Sequence, residues 1–353
     1  MLSINENENN NMKKYLFLSI VILSASFGHA ETRDTLRFKL NGLIDGFSVF
    51  GKNNEMKKIP YLVSSSNMNS FQINLNLFEF TWENSKWKFA LSPAMGSYMT
   101  QNYAKEKWFK RWIYEAYLQR KWNQSSIALG VFSSPYTQET PKSSDQISYS
   151  RSLAPENVPY YISGLKYSWA INPSWSLSLF AMNGWQRMDY QDSTLSPAFG
   201  SLLEFKRDNW KFNWSTFIGR EPYELNLDNV YQTRFLSEVN MQYSEGKWMF
   251  QSSFYLGSYG TNVLGKNILM RNWGQINGQW SYILTNRLKL NGRMEYFMNP
   301  KKIFNSTSVL SSESLGISFK LNDNLNIGSE FRCFHSNEKP FEPYQFLFFQ
   351  YKF

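Results

Sequence analysis

Two histidines, one cysteine and a Ser-x-x-Lys spelling are the residues of this 353-residue chain with the types for covalent or metal chemistry. A Ser–His or Asp–His hydrolase needs a proton acceptor that titrates near working pH, and histidine is the usual one. His29 lies in an N-terminal export segment, and His335 stands in a polar stretch that suits a solvated loop side chain better than a base. Ser163-Gly-Leu-Lys166 has the spelling of a serine–lysine nucleophile. In an extended chain, however, residues three apart point to opposite faces, so hydroxyl and amine do not converge. Zinc and haem need clustered Cys and His, and Cys333 stands alone, which also excludes an internal disulfide framework. The sequence therefore predicts no enzyme, no cofactor and no metal, and nothing in it points to a nucleic acid.

What remains is the non-covalent chemistry of charge and aromatic surface. The formal net charge is +9, the mean hydropathy is −0.47, and 18% of the residues are Phe, Trp or Tyr. Such a polar chain needs fewer rings than this for an ordinary core, so many of them must serve another surface. No Pro/Gly/Ser-rich linker, charge block or low-complexity tract divides the chain, which predicts one continuous architecture.

The N-terminus supplies an address. After an Asn/Glu-rich opening, "MKKYLFLSIVILSASFGHAET" gives basic residues at Lys13 and Lys14, an apolar stretch from Tyr15 to Phe27, and small residues at Gly28 and Ala30. This is the pattern of a secretory signal peptide over residues 1–30, with Met12 as the expected start and cleavage after Ala30. The apolar run is shorter than the ~20 residues that cross a bilayer as a helix. Cleavage removes Lys13, Lys14, Glu6 and Glu8, so residues 31–353, the single predicted domain, keep a charge of +9.

Beyond Ala30 every apolar run is interrupted within a few residues, and a period of two takes over. "WKFNWSTFIG" places Trp210, Phe212, Trp214, Thr216 and Ile218 on one side of an extended chain and Lys211, Asn213, Ser215 and Phe217 on the other. "FQINLNL" from Phe71, "WSLSLFAMNGW" from Trp175 and "LKLNGRMEYFM" from Leu288 repeat the pattern. A soluble sandwich would alternate in the same way, and the connections decide between the two. Tight polar turns at Glu83, Trp122, Asn172, Arg207, Ser244, Leu284 and Asn322 alternate with longer connections. Short and long connections then lie at opposite ends of the strands, as in an outer-membrane up-and-down barrel with periplasmic turns and external loops. Trp82, Trp87, Trp122, Trp169, Trp175, Trp210 and Trp248 flank the tight turns, where an interfacial girdle belongs. The expected fold is all-β: a transmembrane antiparallel barrel of about sixteen strands, the first over Leu36–Phe50 and the last over Tyr344–Phe353.

That last stretch, "YQFLFFQYKF", follows from closure. In lipid every backbone polar group must pair, so the last strand must meet the first, and its outward side chains must be apolar. Leu347, Phe349, Tyr351 and Phe353 form the outward row, with Gln350 and Lys352 inward. A terminal aromatic after alternating apolar residues also resembles the signature by which the outer-membrane assembly machinery recognises its clients.

A family resemblance rests on "WIYEAYLQRKW", "IALGVFSSPYTQET", "ISYSRSLAPENVPYYISGLKYSW" and "LSLFAMNGWQ", preceded by "LNGLIDGFSVFG" and "MNSFQINLNLFEFTWE". The chain resembles the OmpL-like family of β-barrel porins over most of residues 36–186. The resemblance implies an outer-membrane channel with no invariant catalytic or binding residue, and this chain shows no specificity motif of its own.

The candidate working part is the lumen. Alternation turns Lys166, Lys211, Lys289, Arg293, Lys320 and Arg332 inward, with Arg37, Lys39, Lys88, Lys121, Lys206 and Lys352, against Asp45, Glu115, Glu204, Glu238, Glu295 and Glu330, so basic residues predominate. A basic wall around a confined aqueous path concentrates anions; equally, many of these lysines would simply solvate the periplasmic rim. By the same count Cys333 faces lipid. One connection, Thr137 to Pro159 after the fifth strand, is long enough to be functional. Sixteen-stranded porins fold their third external loop into the barrel, and the resemblance implies the same here. Glu139, Lys142, Asp145, Arg151 and Glu156 would then form a constriction, with Arg151 facing charged wall residues across a narrow water path. The predicted function is passive diffusion of small hydrophilic solutes with anion preference, and since porins of this size are often trimers, a homotrimer is the expected assembly. The alternative is a non-conducting barrel acting as adhesin or structural anchor.

Overall fold

Alternation fixes strands, and sixteen of them form. The computed structural model describes residues 35–52, 56–189, 197–222, 230–263, 266–304, 307–339 and 341–353; the export segment predicted over 1–30, with Met12 and Ala30, lies outside them. The strands are β1 (Arg37–Gly51), β2 (Phe71–Glu83), β3 (Trp87–Met95), β4 (Ile113–Lys121), β5 (Ser125–Ser133), β6 (Tyr161–Ala170), β7 (Trp175–Met182) and β8 (Ala198–Arg207). They continue as β9 (Trp210–Pro222), β10 (Val230–Glu245), β11 (Trp248–Val263), β12 (Lys266–Ile283), β13 (Leu288–Met298), β14 (Val309–Lys320), β15 (Leu325–Ser336) and β16 (Glu342–Lys352). Each pairs antiparallel with its sequence neighbours, and β16 pairs with β1, so the sheet is a closed barrel. Closure leaves no backbone edge to satisfy, which is what permits strands to sit in hydrocarbon. All seven tight turns read from the sequence join strands at one end. The other connections, most of them longer and one carrying the short helix α1 (Ser97–Asn102), join them at the other end, although only two residues separate β11 from β12.

The two faces are chemically distinct. Outward side chains are large, apolar and open, among them Leu129 at 64% exposure, Met294 at 74% and Leu315 at 65%. Around the tight turns, Trp82 packs against Phe38 and Phe89, Trp175 against Phe205, Trp210 against Tyr243 and Trp248 against Tyr282, all with ring centroids within 5.5 Å. These pairs form a belt of amphipathic rings at one membrane interface.

The seam explains the aromatic end of the chain. Phe349, Tyr351 and Phe353 point outward along β16, and the backbone of Phe353 exchanges hydrogen bonds with Gly42 at 2.9 and 3.2 Å. Gly42 and Gly46 face the rings of Phe353 and Phe349 so closely that a Cβ at either position would overlap them. The glycines of β1 are thus slots for the aromatics of β16. Cys333 alternates with the inward Arg332 and Phe334 and so lies on the outer face as expected, but it is only 3% exposed, covered beside its register neighbours Glu313 and Pro343.

Candidate functional site

The third external connection, between β5 and β6, turns into the barrel and lies along its inner wall. Its apolar side chains Tyr149, Leu153, Ala154 and Val158 join a buried cluster with inward residues of the wall, including Phe47 of β1, Leu236 of β10, Tyr255 of β11 and Phe346 of β16. Burial of these groups supplies the drive, and the polar backbone of the loop must then find partners on the wall.

It finds them chiefly on four charged residues. Arg293 and Glu295 on β13 and Glu330 and Arg332 on β15 face inward across β14, whose small Ser314 stands in register between the two arginines while Ser312 pairs with Glu295 and Gly316 with Glu330. Their side chains are 0–1% exposed. Arg293 reaches Glu330 at 3.1 Å and Glu295 at 3.4 Å, and Arg332 reaches Glu295 at 2.5 Å. The loop threads onto this square. Ser150 donates its N–H and hydroxyl to Glu330 at 2.8 and 2.7 Å, and Leu153 donates its N–H to Glu295 at 2.7 Å. In return Arg293 donates to the Ser150 carbonyl at 2.6 Å and Arg332 to the Arg151 carbonyl at 2.8 Å. Two buried positive and two buried negative charges balance, and the loop backbone completes their hydrogen bonds, the condition under which buried ion pairs are tolerated.

The remaining constriction candidates divide by what they touch. Glu139 accepts the N–H and hydroxyl of Ser152 at 2.6 and 2.8 Å and an amide of Gln279, tying the loop to itself and to β12. Lys142 pairs with Glu79 at 2.9 Å, and Asp145 with Lys352 at 2.6 Å, near the periplasmic end. Glu156 accepts the backbone N–H groups of Val63 and Ser64, both at 2.7 Å, and so binds the first external loop to the third. Burial pushes its carboxyl up from the ordinary value, with Arg151 at 3.9 Å and the two N–H groups pulling the other way. Arg151 does not face the charged wall across water. Its guanidinium is buried, 5.1 Å from the Tyr160 ring centroid and beside Glu156, while only its carbonyl meets Arg332. The chain direction imposed by Ser150 turns the Arg151 side chain toward the external end.

The inward charges fall into two tiers by depth. Arg293, Glu295, Glu330 and Arg332 lie under the loop, and Glu238 is 1% exposed with Ser215 at 2.9 Å, so these five line the wall but do not meet open water. Lys166, Lys211, Lys289 and Lys320 lie toward the tight turns and stay at least partly exposed. Lys206 and Lys211 are directly opposed in register between β8 and β9. Lys320 pairs with Asp323 at 2.8 Å, whereas among the described residues Lys166, Lys206, Lys211 and Lys289 form no ion pair; Lys289 reaches only the carbonyls of Gln146 and Ile147 at 3.4 Å. The third-loop and wall charges thus leave a basic surplus at the periplasmic end.

Sequence reasoning missed the partners that seat the loop: Ser150 and Ser152, and the amides Gln275, Asn277 and Gln279 on β12. Asn277 donates to Ser152 Oγ at 2.8 Å, and Gln275 accepts from the Ala154 N–H. "QINGQWS" carried the signal, an inward row of amides where a water-filled lumen would need none in particular. Asp45 was also passed over as a loop contact; it takes Asn74 at 2.7 Å and Tyr149 at 3.1 Å.

Comparison with known proteins follows from this geometry. The family model for beta-barrel porin-2, OmpL-like, matches residues 37–345. No curated protein sequence matches the chain. Among solved structures, it is similar to OmpF of Salmonella typhi in complex with daunomycin (TM-score 0.66, 11% identity, covering 92% of this chain and 99% of that one). It is also similar to the anion-selective porin from Comamonas acidovorans (TM-score 0.63, 8% identity, 90% and 100% covered). A third is the trimer form of the outer-membrane protein OmpT of Vibrio cholerae (TM-score 0.62, 10% identity, 91% and 100% covered). At these identities the likeness is one of fold.

Proposed function

Because the chain belongs to the OmpL-like family of β-barrel porins, we propose that it is an outer-membrane channel for passive diffusion of small hydrophilic solutes, narrowed by its third external loop and preferring anions. The observation that carries the preference is the set of unpaired inward lysines, Lys166, Lys206, Lys211 and Lys289, at the periplasmic end of the lumen. In a confined aqueous path with low-dielectric walls, uncompensated positive charge lowers the entry barrier for anions and raises it for cations. Export by the signal peptide over residues 1–30, insertion by the outer-membrane assembly machinery and association as a homotrimer belong to the same proposal. The trimer form of OmpT is the support for the last of these.

A second reading has a specific observation in its favour. Glu139, Arg151 and Glu156 are each at most 5% exposed, so the third loop is packed as tightly as a core, which suits a barrel closed at rest and used as an anchor or adhesin. Planar-bilayer recording of the refolded protein separates the two. A channel should conduct in steps and, in a potassium chloride gradient, show a reversal potential on the chloride side of zero. Lys166→Glu with Lys211→Glu should move that potential toward potassium. A parent without conductance would establish the closed barrel, and a potential indifferent to the double variant would remove the lysines from the path.

A further inference from the structure

The external end of the barrel holds a cavity that the loop and strand assignments above do not use. Its volume is about 450 Å³, within the range of small-molecule sites. Separate parts of the chain converge on it: the second external loop with Lys105, the third with Glu156, the connection between β7 and β8 with Trp185, the external ends of β10, β11 and β12 with Arg234, Tyr259 and Arg271, and the connection between β13 and β14 with Phe304.

The aromatic residues are arranged as a wall. Trp185 meets Tyr259 edge to face at 6.2 Å, and Tyr259 meets Phe304 edge to face at 5.7 Å. The Arg234 guanidinium lies 5.2 Å from the Trp185 ring centroid and 4.8 Å from that of Tyr259, which holds a flexible cation in a defined place. Among the described residues, two polar groups at the cavity have no hydrogen-bond partner: the hydroxyl of Tyr259, a residue only 2% exposed, and Nε of Arg271. A buried donor left unsatisfied has lost its water without replacement, so a ligand that satisfies it recovers that cost.

The charge balance is one-sided. Lys105, Arg234 and Arg271 line the cavity against one carboxylate, Glu156, whose Oε2 accepts the Val63 and Ser64 N–H groups and whose Oε1 lies 3.9 Å from the Arg151 guanidinium. Glu221 on β9 lies near Arg234 and Lys105, but its direct partners are Arg187 at 2.7 Å and the Trp185 N–H at 2.6 Å. Guanidinium groups present paired donors that match a carboxylate, and the neighbouring rings offer apolar faces for a flat body.

We infer that this cavity is a binding site for small carboxylates carrying a planar ring, which would be concentrated at the external mouth before passage. The inference rests on the channel reading for its role but not for its binding chemistry. The test is isothermal titration of the refolded full barrel in detergent micelles with benzoate, and with benzyl alcohol and acetate as probes lacking the charge or the ring. Benzoate should bind saturably, the other two at least tenfold more weakly, and Arg234→Gln and Arg271→Gln, each checked for a heat-modifiable barrel, should weaken benzoate at least tenfold. No benzoate binding, benzyl alcohol binding as well as benzoate, or a folded variant that binds benzoate like the parent would overturn the site. Bilayer recording distinguishes this failure from that of the channel: saturable benzoate binding by a barrel that never conducts upholds the site and sinks the channel, whereas conduction without benzoate binding does the reverse.

Discussion

Replacing Glu330 by Gln should unseat the third loop while leaving the barrel closed. The carboxylate accepts two hydrogen bonds from Ser150 and one from Arg293, all at 2.7–3.1 Å, and it is one of two negative charges that balance Arg293 and Arg332 under the loop. Its amide replacement leaves two buried guanidinium groups against Glu295 alone. Removing one partner of a buried ion pair costs about 3–5 kcal/mol, because the other charge stays desolvated. The sheet has no cheap way to relieve this, since every strand is paired on both sides. The loop has one: by lifting, it readmits water to the guanidinium. At about 1.4 kcal/mol per factor of ten, the loop-opening equilibrium should shift by roughly 100- to 5,000-fold.

Hydrogen exchange read by mass spectrometry in lipid nanodiscs measures this directly at the N–H groups of Ser150, Ser152 and Leu153, whose acceptors are Glu330, Glu139 and Glu295. Glu238→Gln is the control, because that equally buried carboxylate bonds to Ser215 rather than to the loop. Arg293→Met added to Glu330→Gln should recover part of the protection by restoring charge balance. If the Glu330→Gln loop exchanged as slowly as the parent, the four-charge square would not be what seats it.

Two further outcomes test the seam and the lipid face. Gly42→Val, which fills the slot occupied by the Phe353 ring, and deletion of Phe353 should each lower the heat-modifiable barrel recovered from outer membranes without lowering total exported protein; normal recovery of folded barrel would separate Phe353 from both closure and assembly. Trp214→Arg, at a lipid-facing site 46% exposed, should cost about 2–4 kcal/mol of folding free energy in vesicles if it lies near the midplane. Asn213→Arg, on the inward face, should cost much less, and the reverse order would show the faces to be exchanged.

How much of this was legible follows from what each feature depends on. Strand identity depends on neighbours two apart, so "WKFNWSTFIG" declared both faces of β9, and the tight turns declared the strand count. The path of the third loop depends on which wall it meets, and no local pattern states that. Arg151 drew attention as the charged residue of its segment, yet the contacts are made by the backbone of Ser150–Leu153 and by serine hydroxyls that composition does not distinguish from solvated ones.

The division of the wall charges was more accessible than the alternation count made it. Faces alone put Lys211 and Arg293 in one class, but distance from the nearest tight turn separates them. Lys206 and Lys211 each stand one residue inside the strand ends at Arg207 and Trp210, whereas Arg293 and Glu295 lie in the middle and far half of β13, where the third loop crosses. Side-chain type agrees with depth. Arginine, whose planar fork fits carboxylates and carbonyls together, occupies the buried square, and lysine, a strongly hydrated point charge on a flexible stem, occupies the wet end. Under the channel reading proposed above, an inward charge near a tight turn meets water and acts on solutes, whereas one at mid-strand meets the loop and acts on its position. Under that reading opening and selectivity are separable by mutation: Glu330→Gln should alter opening with the lysines intact, and Lys211→Glu should alter ion preference with the loop still seated.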